Sequence, residues 1–122
     1  MIAGEFDSEG KLLFEIGLVA ANGEIILANA LLDTGFTDWL VMNNQDLESL
    51  GWFPAVDGKR LMQTAQGETQ FNLYAGTVEL DGQQFNIPVL AGETISEVLL
   101  GLPWLRTRRL VVDFPVGVLT LG

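Results

Sequence analysis

Apolar residues fall on every second position along much of this chain. Phe14, Ile16, Leu18 and Ala20 alternate with other residues, the period of a strand with one face buried. Asn22-Gly23 follows, a strong signal for a tight hairpin, and predicts a return strand from about Glu24 to Leu32. Trp39 to Met42 reads as another short strand. Gln45 to Leu50 reads as a short helix with Asn44 as its cap and Gly51 as its stop. Asp57-Gly58 is expected to turn the chain. Extended segments from about Arg60 to Thr64 and from Thr69 to Leu80 then flank Ala65-Gln66-Gly67, as a long hairpin would. Asp81-Gly82 marks the next turn, and Phe85, Ile87 and Val89 alternate beyond it. Val98 to Leu100 is a short buried run, and Pro103 suits the first turn of a brief helix. Leu110 to Val112 and Val116 to Leu121, around Phe114-Pro115, close the pattern. Many short strands separated by turn dipeptides predict an all-β barrel or sandwich with one or two short helices.

Composition narrows the chemistry. The 122 residues suit one domain spanning 1–122, with no repeat, linker or low-complexity stretch. At 48% apolar residues the chain can bury a core. No apolar run approaches the length of a membrane span. Met1 to Gly10 carries Glu5, Asp7 and Glu9 and no basic segment, unlike a secretory signal, and the expected location is cytoplasmic. There is no cysteine and no histidine, which removes thiolate and imidazole catalysis and His- or Cys-ligated metal sites. The formal net charge of −10 argues against nucleic acid and anionic membranes as partners. Arg106, Arg108 and Arg109 form the one basic cluster and read as a solvated surface pairing with nearby acids. Trp39, Trp52 and Trp104 read as core or interface residues.

The segment with most chemical content is Ala30-Leu31-Leu32-Asp33-Thr34-Gly35. An apolar strand ends on a carboxylate, followed by a small hydroxyl residue and a glycine. The strand delivers Asp33 to an apolar centre where its ionisation can be tuned. The Thr34 hydroxyl is suited to bonding backbone and fixing a tight loop. Gly35 permits a sharp turn and the close approach of another backbone. Alone, the tripeptide is weak, since chance gives it to roughly one chain of this length in forty. A turn carboxylate after a strand is the plain alternative.

The order of motifs around it resembles the retropepsin-like aspartic proteases, in particular their short single-domain prokaryotic members. A hairpin leads to Asp-Thr-Gly, then a strand and short helix over Trp39 to Gly51, then a flap-like hairpin at about Lys59 to Gly76. A further hairpin ends in Leu99-Leu100-Gly101, followed by Leu102-Pro103-Trp104-Leu105, and Leu110-Val111-Val112-Asp113-Phe114 also has the family's look. The resemblance implies an all-β retropepsin-like barrel and an endopeptidase. It also implies a homodimer, because one chain carries one Asp-Thr-Gly whereas the chemistry uses two carboxylates. One Asp33 would activate water as base while the other, protonated, polarises the scissile carbonyl. Thr34 would bond across to the partner's loop and Gly35 would let the two loops approach. The tip at Ala65, Gln66 and Gly67 would close over a peptide or unfolded-protein substrate.

The sequence departs from the family in places. Phe36 stands where many relatives carry alanine or serine, and is expected to narrow the substrate groove. Thr37 and Asp38 occupy positions that contact substrate backbone in the family. The flap tip has a single glycine, and Leu102 stands where a polar or basic residue often follows the glycine. No cofactor is expected. No metal is expected either, since Asp33 and Asp38 lack the clustered oxygen ligands of a calcium loop. The rival function is a catalytically weak or silent homodimeric module that binds peptides or regulates through the same fold. The intact Asp-Thr-Gly favours the enzyme.

Overall fold

The computed structural model describes residues 1–64 and 67–122. Two short strands, β1 (Ile2–Ala3) and β2 (Glu5–Phe6), lead into the hairpin of β3 (Leu12–Val19) and β4 (Ile25–Leu32). β5 (Leu40–Asn43) runs directly into helix α1 (Asn44–Ser49). The long hairpin consists of β6 (Phe53–Thr64) and β7 (Gly67–Leu80), and β8 (Gln83–Gly92) returns beside it. β9 (Val98–Leu100) precedes a 3₁₀ helix (Leu102–Arg106), and β10 (Leu110–Asp113) and β11 (Val118–Leu121) end the chain. No described helix is long and apolar enough to cross a membrane.

The strands β3-β4-β9-β5-β8-β7 are neighbours in that order, and β7 pairs back onto β3 through Gly17↔Glu79 and Leu18↔Val78. The sheet therefore closes into a barrel, the architecture that the resemblance implies and one of the two that the turn-rich pattern allows. Gly17 sits at the closure, where a Cβ would come within 2.8 Å of the Ile25 side chain. β6 lies outside β7, β2 extends from β3, and a separate sheet of β1-β11-β10 gathers the chain ends.

The alternating residues point as the pattern requires. Phe14, Ile16 and Leu18 of β3, Ala30 and Leu32 of β4, Val78 and Leu80 of β7, and Ile87 and Val89 of β8 all enter one buried cluster. Trp104, Leu119 and Leu121 complete it from the C-terminal segments. A smaller cluster of Phe36, Val41, Phe71 and Leu90 lies on the opposite face of the same strands.

Three local expectations change. The helix cap is Asn43, one residue earlier, because its side chain accepts the Gln45 N–H at 2.8 Å while Asn44 is already helical. Gly51, at φ 73°, does stop the chain's helical course. Asp57-Gly58 does not reverse the chain: β6 passes through it as an irregularity. Between Pro54↔Tyr74 and Lys59↔Asn72 the strand advances five residues against two on β7, with Gly58 at φ 58°. Asp81-Gly82 is the genuine two-residue turn, with φ 55° and 75°, joining Leu80↔Gln83. The helix predicted after Pro103 is present as a single 3₁₀ stretch.

Candidate active site

Asp33 is positioned by two strands far apart in sequence. β4 pairs parallel with β9 through Ala30↔Val98, Leu31↔Leu99 and Leu32↔Leu100. The Asp33 N–H extends this ladder by donating to the Leu100 carbonyl at 2.9 Å. The chain then turns at once. Asp33 Oδ1 accepts the Gly35 N–H at 2.9 Å, and the Asp33 carbonyl accepts the Phe36 N–H at 3.1 Å. The aspartate thus builds its own loop with one carboxylate oxygen.

The far side of the loop is stitched to the segment after β9. Leu102 N–H donates to the Phe36 carbonyl at 2.8 Å, and Gly101 N–H donates to the Trp39 carbonyl at 3.2 Å. The same Trp39 carbonyl accepts the Trp104 indole N–H at 2.8 Å. Gly101 has to be glycine for these contacts. A Cβ there would stand 1.7 Å from the Asp38 carbonyl oxygen and 2.7 Å from that of Phe36. The adjacency of Asp33 to Leu99–Leu102 is therefore a property of the fold.

The residues singled out in the sequence are distributed as follows. Asp33 is half-buried, and Thr34, Gly35 and Thr37 are exposed beside it. Asp38 is half-buried. The Thr34 side chain makes no hydrogen bond to another described residue, so the loop is fixed by Asp33 rather than by the hydroxyl. Phe36, expected to border a substrate groove, has its side chain turned inward at 8% exposure, against Phe71, Val41 and Leu90. Gly67 opens β7 at φ 100°. Ala65 and Gln66 lie outside the described residues.

Trp104 was legible as a core residue but not as a support of the site. It is 1% exposed, stands edge-on to Trp39 with ring centroids 5.0 Å apart, and edge-on to Phe85 at 5.3 Å. Arg108 lies over the other neighbour, 5.2 Å from the Phe85 centroid, and reaches Asp81 at 3.8 Å. The expectation that the arginines pair with nearby acids is met here by Arg108. Asp81 also accepts a hydrogen bond from the Met1 ammonium, and that bond, with the charges of Met1 and Arg108, holds its carboxyl below the usual carboxylate range.

Neither a protein-family model nor a curated protein sequence matches the chain. Solved structures do. A retropepsin-like aspartic protease from Rickettsia conorii superposes with a TM-score of 0.69, covering 98% of this chain and 88% of that one at 21% identity. The EIAV protease, complexed with the inhibitor HBY-793, gives 0.64 over 88% of this chain and 98% of its own, at 18% identity. The Simian Foamy Virus (mac) protease gives 0.53 over 80% and 99%, at 25% identity. The fold is retropepsin-like. In that fold the Asp33 loop is a built feature, held at both ends by backbone bonds to the β9 segment. It presents one carboxylate at an open surface of the chain. A lone carboxylate can act as base or, protonated, as acid, but not as both in one step. Among the described residues, no three acidic side chains gather as a metal site would require.

Proposed function

We propose that the chain is one protomer of a homodimeric aspartic endopeptidase, folded as one domain over 1–122, that cleaves extended peptides or unfolded protein segments. The observation that carries this reading is the Asp33 loop: a single carboxylate, delivered by β4 and β9 to an open surface beside an unengaged hydroxyl and a glycine. Gly35 does not take a positive φ, and its missing Cβ would meet only Asp33 Oδ1, at 3.2 Å. Nothing else among the described residues requires glycine there. The space suits a second loop approaching from outside, and the Thr34 hydroxyl is free to bond it.

A two-fold pairing is isologous, so it brings Asp33 to Asp33. Two carboxylates in contact cannot both ionise easily and share one proton. The ionised one takes a proton from a bound water as that water attacks the scissile carbonyl, and the protonated one donates its proton to the carbonyl oxygen, giving a gem-diol. The first Asp33 then passes its new proton to the amide nitrogen while the second takes one from a gem-diol hydroxyl, so the C–N bond breaks to release amine and acid and the pair again shares one proton. The β6–β7 hairpin closes over the substrate, Ala65, Gln66 and Gly67 are assigned to substrate contact by the resemblance alone, and Thr37 and Asp38 bind the substrate backbone in strand-addition style. Phe36 supports the loop from below, through its contacts with Phe71 and Leu90.

The test is digestion of a peptide library by wild type and Asp33→Asn, with sedimentation across protein concentration. Cleavage by a dimer, lost in Asp33→Asn, is the expected result. Cleavage that survives the substitution, or a strict monomer with activity linear in concentration, overturns the proposal. A dimer that binds peptides and cleaves none identifies the silent module instead.

A further inference from the structure

The barrel has a gap away from Asp33. β9 covers only Ala30 to Leu32 of β4, and the preceding residues of that edge have no partner strand among the described residues. Ala20 N–H donates to the Glu24 carbonyl at 2.8 Å, which makes Ala20 and Glu24 a hydrogen-bonded pair of the hairpin. Bonded and non-bonded pairs alternate along an antiparallel ladder. In the register Val19↔Ile25 and Gly17↔Leu27, Ile25 and Leu27 are then non-bonded positions. Their N–H and C=O groups point away from β3, into the gap. The gap is bounded at one end by β9 and at the other by the Ala21 N–H bond to the Leu50 carbonyl at 2.8 Å.

Side chains along this edge are apolar and open to water: Ile25 is 42% exposed, Ile26 41% and Leu27 65%. A groove of about 210 Å³ opens beside them, lined by Ile26, Met42, Leu50 and Val98 and by the carboxylate-bearing Asp46. Three consecutive exposed apolar residues on an unpaired edge are a hazard that proteins usually blunt with lysine or proline. Here neither is present in β4.

We propose that this edge docks an extended, cationic segment of another protein, which adds to β4 as a strand and places an apolar side chain in the groove. The charge of the surroundings selects that occupant. Glu24 immediately precedes the strand and Asp46 lines the groove. Glu79 lies across from Gly17, where Ile25 packs, and Glu15 lies opposite Asn29. Among the described residues, no lysine or arginine lines the groove. A second copy of the chain, itself at −10, would set the same acids face to face. Alternating basic and apolar residues meet both features, since the backbone pairs with Ile25 and Leu27 while side chains divide between groove and acids. Leu27 lies six residues before Asp33, which directly follows the strand, about 20 Å away at strand spacing. It does not depend on the proposed protease activity.

The experiment uses the full chain carrying Asp33→Asn, so that no probe is cleaved. The probe is a fluorescein-labelled peptide of alternating lysine and valine, six residues long, with an otherwise equal peptide of glutamate and valine as control. Amide hydrogen exchange maps the bound site. Expected are binding of the lysine peptide alone, weakening with salt, at least tenfold slower exchange at Ile25 and Leu27, and at least tenfold weaker binding in both Leu27→Lys and Asp46→Lys. Leu27 and Asp46 are exposed, so both variants should fold, which melting curves verify. Protection confined to the β6–β7 hairpin, or affinity indifferent to both variants, overturns the proposal. So does peptide-independent self-association that Leu27→Lys abolishes, which would assign the edge to a second copy.

Discussion

Gly101→Ala tests the threading that sets the Asp33 loop. The new Cβ would begin 1.7 Å from the Asp38 carbonyl oxygen. Carbon and oxygen rest about 3.3–3.6 Å apart even in favourable contacts, so the segments must part by roughly 1.6–1.9 Å. That displacement stretches the Gly101–Trp39 and Leu102–Phe36 hydrogen bonds, now 3.2 and 2.8 Å, beyond bonding range. Overpacking costs about 1–3 kcal/mol and each bond lost in a half-buried setting about 1 kcal/mol or more, for a total of about 3–5 kcal/mol. For a chain of this size that lowers Tm by about 12–20 °C. Two other glycines calibrate the measurement. Gly23→Ala has open space but φ 88°, so its penalty of about 1–2 kcal/mol is conformational alone. Gly35→Ala has neither positive φ nor a backbone clash and should cost under about 1 kcal/mol in dilute, dissociated protein. Calorimetry across protein concentration gives the order Gly101, Gly23, Gly35. A Gly101→Ala protein melting within about 4 °C of wild type would refute the threading argument.

Other expectations follow from the same geometry. Trp104→Phe removes the indole N–H from the Trp39 carbonyl and leaves unfilled space among Trp39 and Phe85, so it should cost about 2–4 kcal/mol by denaturant titration. A loss under about 0.5 kcal/mol would show that this anchor does not hold the loop segment. Asp81→Asn keeps a residue suited to φ 55° and removes only the charge. The folded-state pKa of Asp81 is depressed, so its charge stabilises above the unfolded value of about 3.9 and that contribution fades as pH falls through the folded value. The stability gap between wild type and Asp81→Asn should thus be present at pH 6 and shrink below pH 4, and a gap that widens on acidification contradicts the assignment. If the protomers pair through Asp33, cleavage rate against pH should be bell-shaped with its maximum on the mildly acidic side. Raised salt should strengthen dimerisation at pH 7, because two chains of −10 repel, without moving the bell measured at saturating dimer. A rate that climbs monotonically to alkaline pH contradicts the shared-proton pair.

Local chemistry made much of this fold readable. Asn22-Gly23 and Asp81-Gly82 announced hairpins because each needs φ values that few other residues supply, and the even-numbered apolar residues of β3 disclosed which face is buried. Asp57-Gly58 misled for the same reason: Gly58 does take a positive φ, but β6 uses it to absorb extra residues rather than to reverse. Asn44 and Asn43 are chemically equivalent caps, and only the backbone of Asn43, extended at ψ 141°, decides between them. At the site, Asp-Thr-Gly and the Leu-Leu-Gly run located the two segments that meet. Sequence did not show that Phe36 turns inward, because an aromatic residue after the glycine suits a groove wall and a core equally well. Nor did it show the Trp104–Trp39 bond, which depends on how the 3₁₀ helix lands on the loop.

The cost of building the site explains why its supports are so distributed. β3 and β4 pair across a short turn, whereas Leu32 and Leu100 are 68 positions apart when they pair. Loop-closure entropy grows as about (3/2)RT ln n, which makes the β4–β9 pairing roughly 2 kcal/mol harder to close than the hairpin. Three residues of β9 supply few hydrogen bonds against that penalty. The remainder comes from side chains that β9 brings with it: Leu100 is fully buried, and Trp104 seals the loop a turn later. The Asp33 loop cannot leave its place without unpairing β9, and β9 cannot unpair without exposing those residues. The carboxylate is therefore held by the stability of the whole barrel, while the Ile25–Leu27 edge, left uncovered because β9 is so short, is a direct result of the same construction.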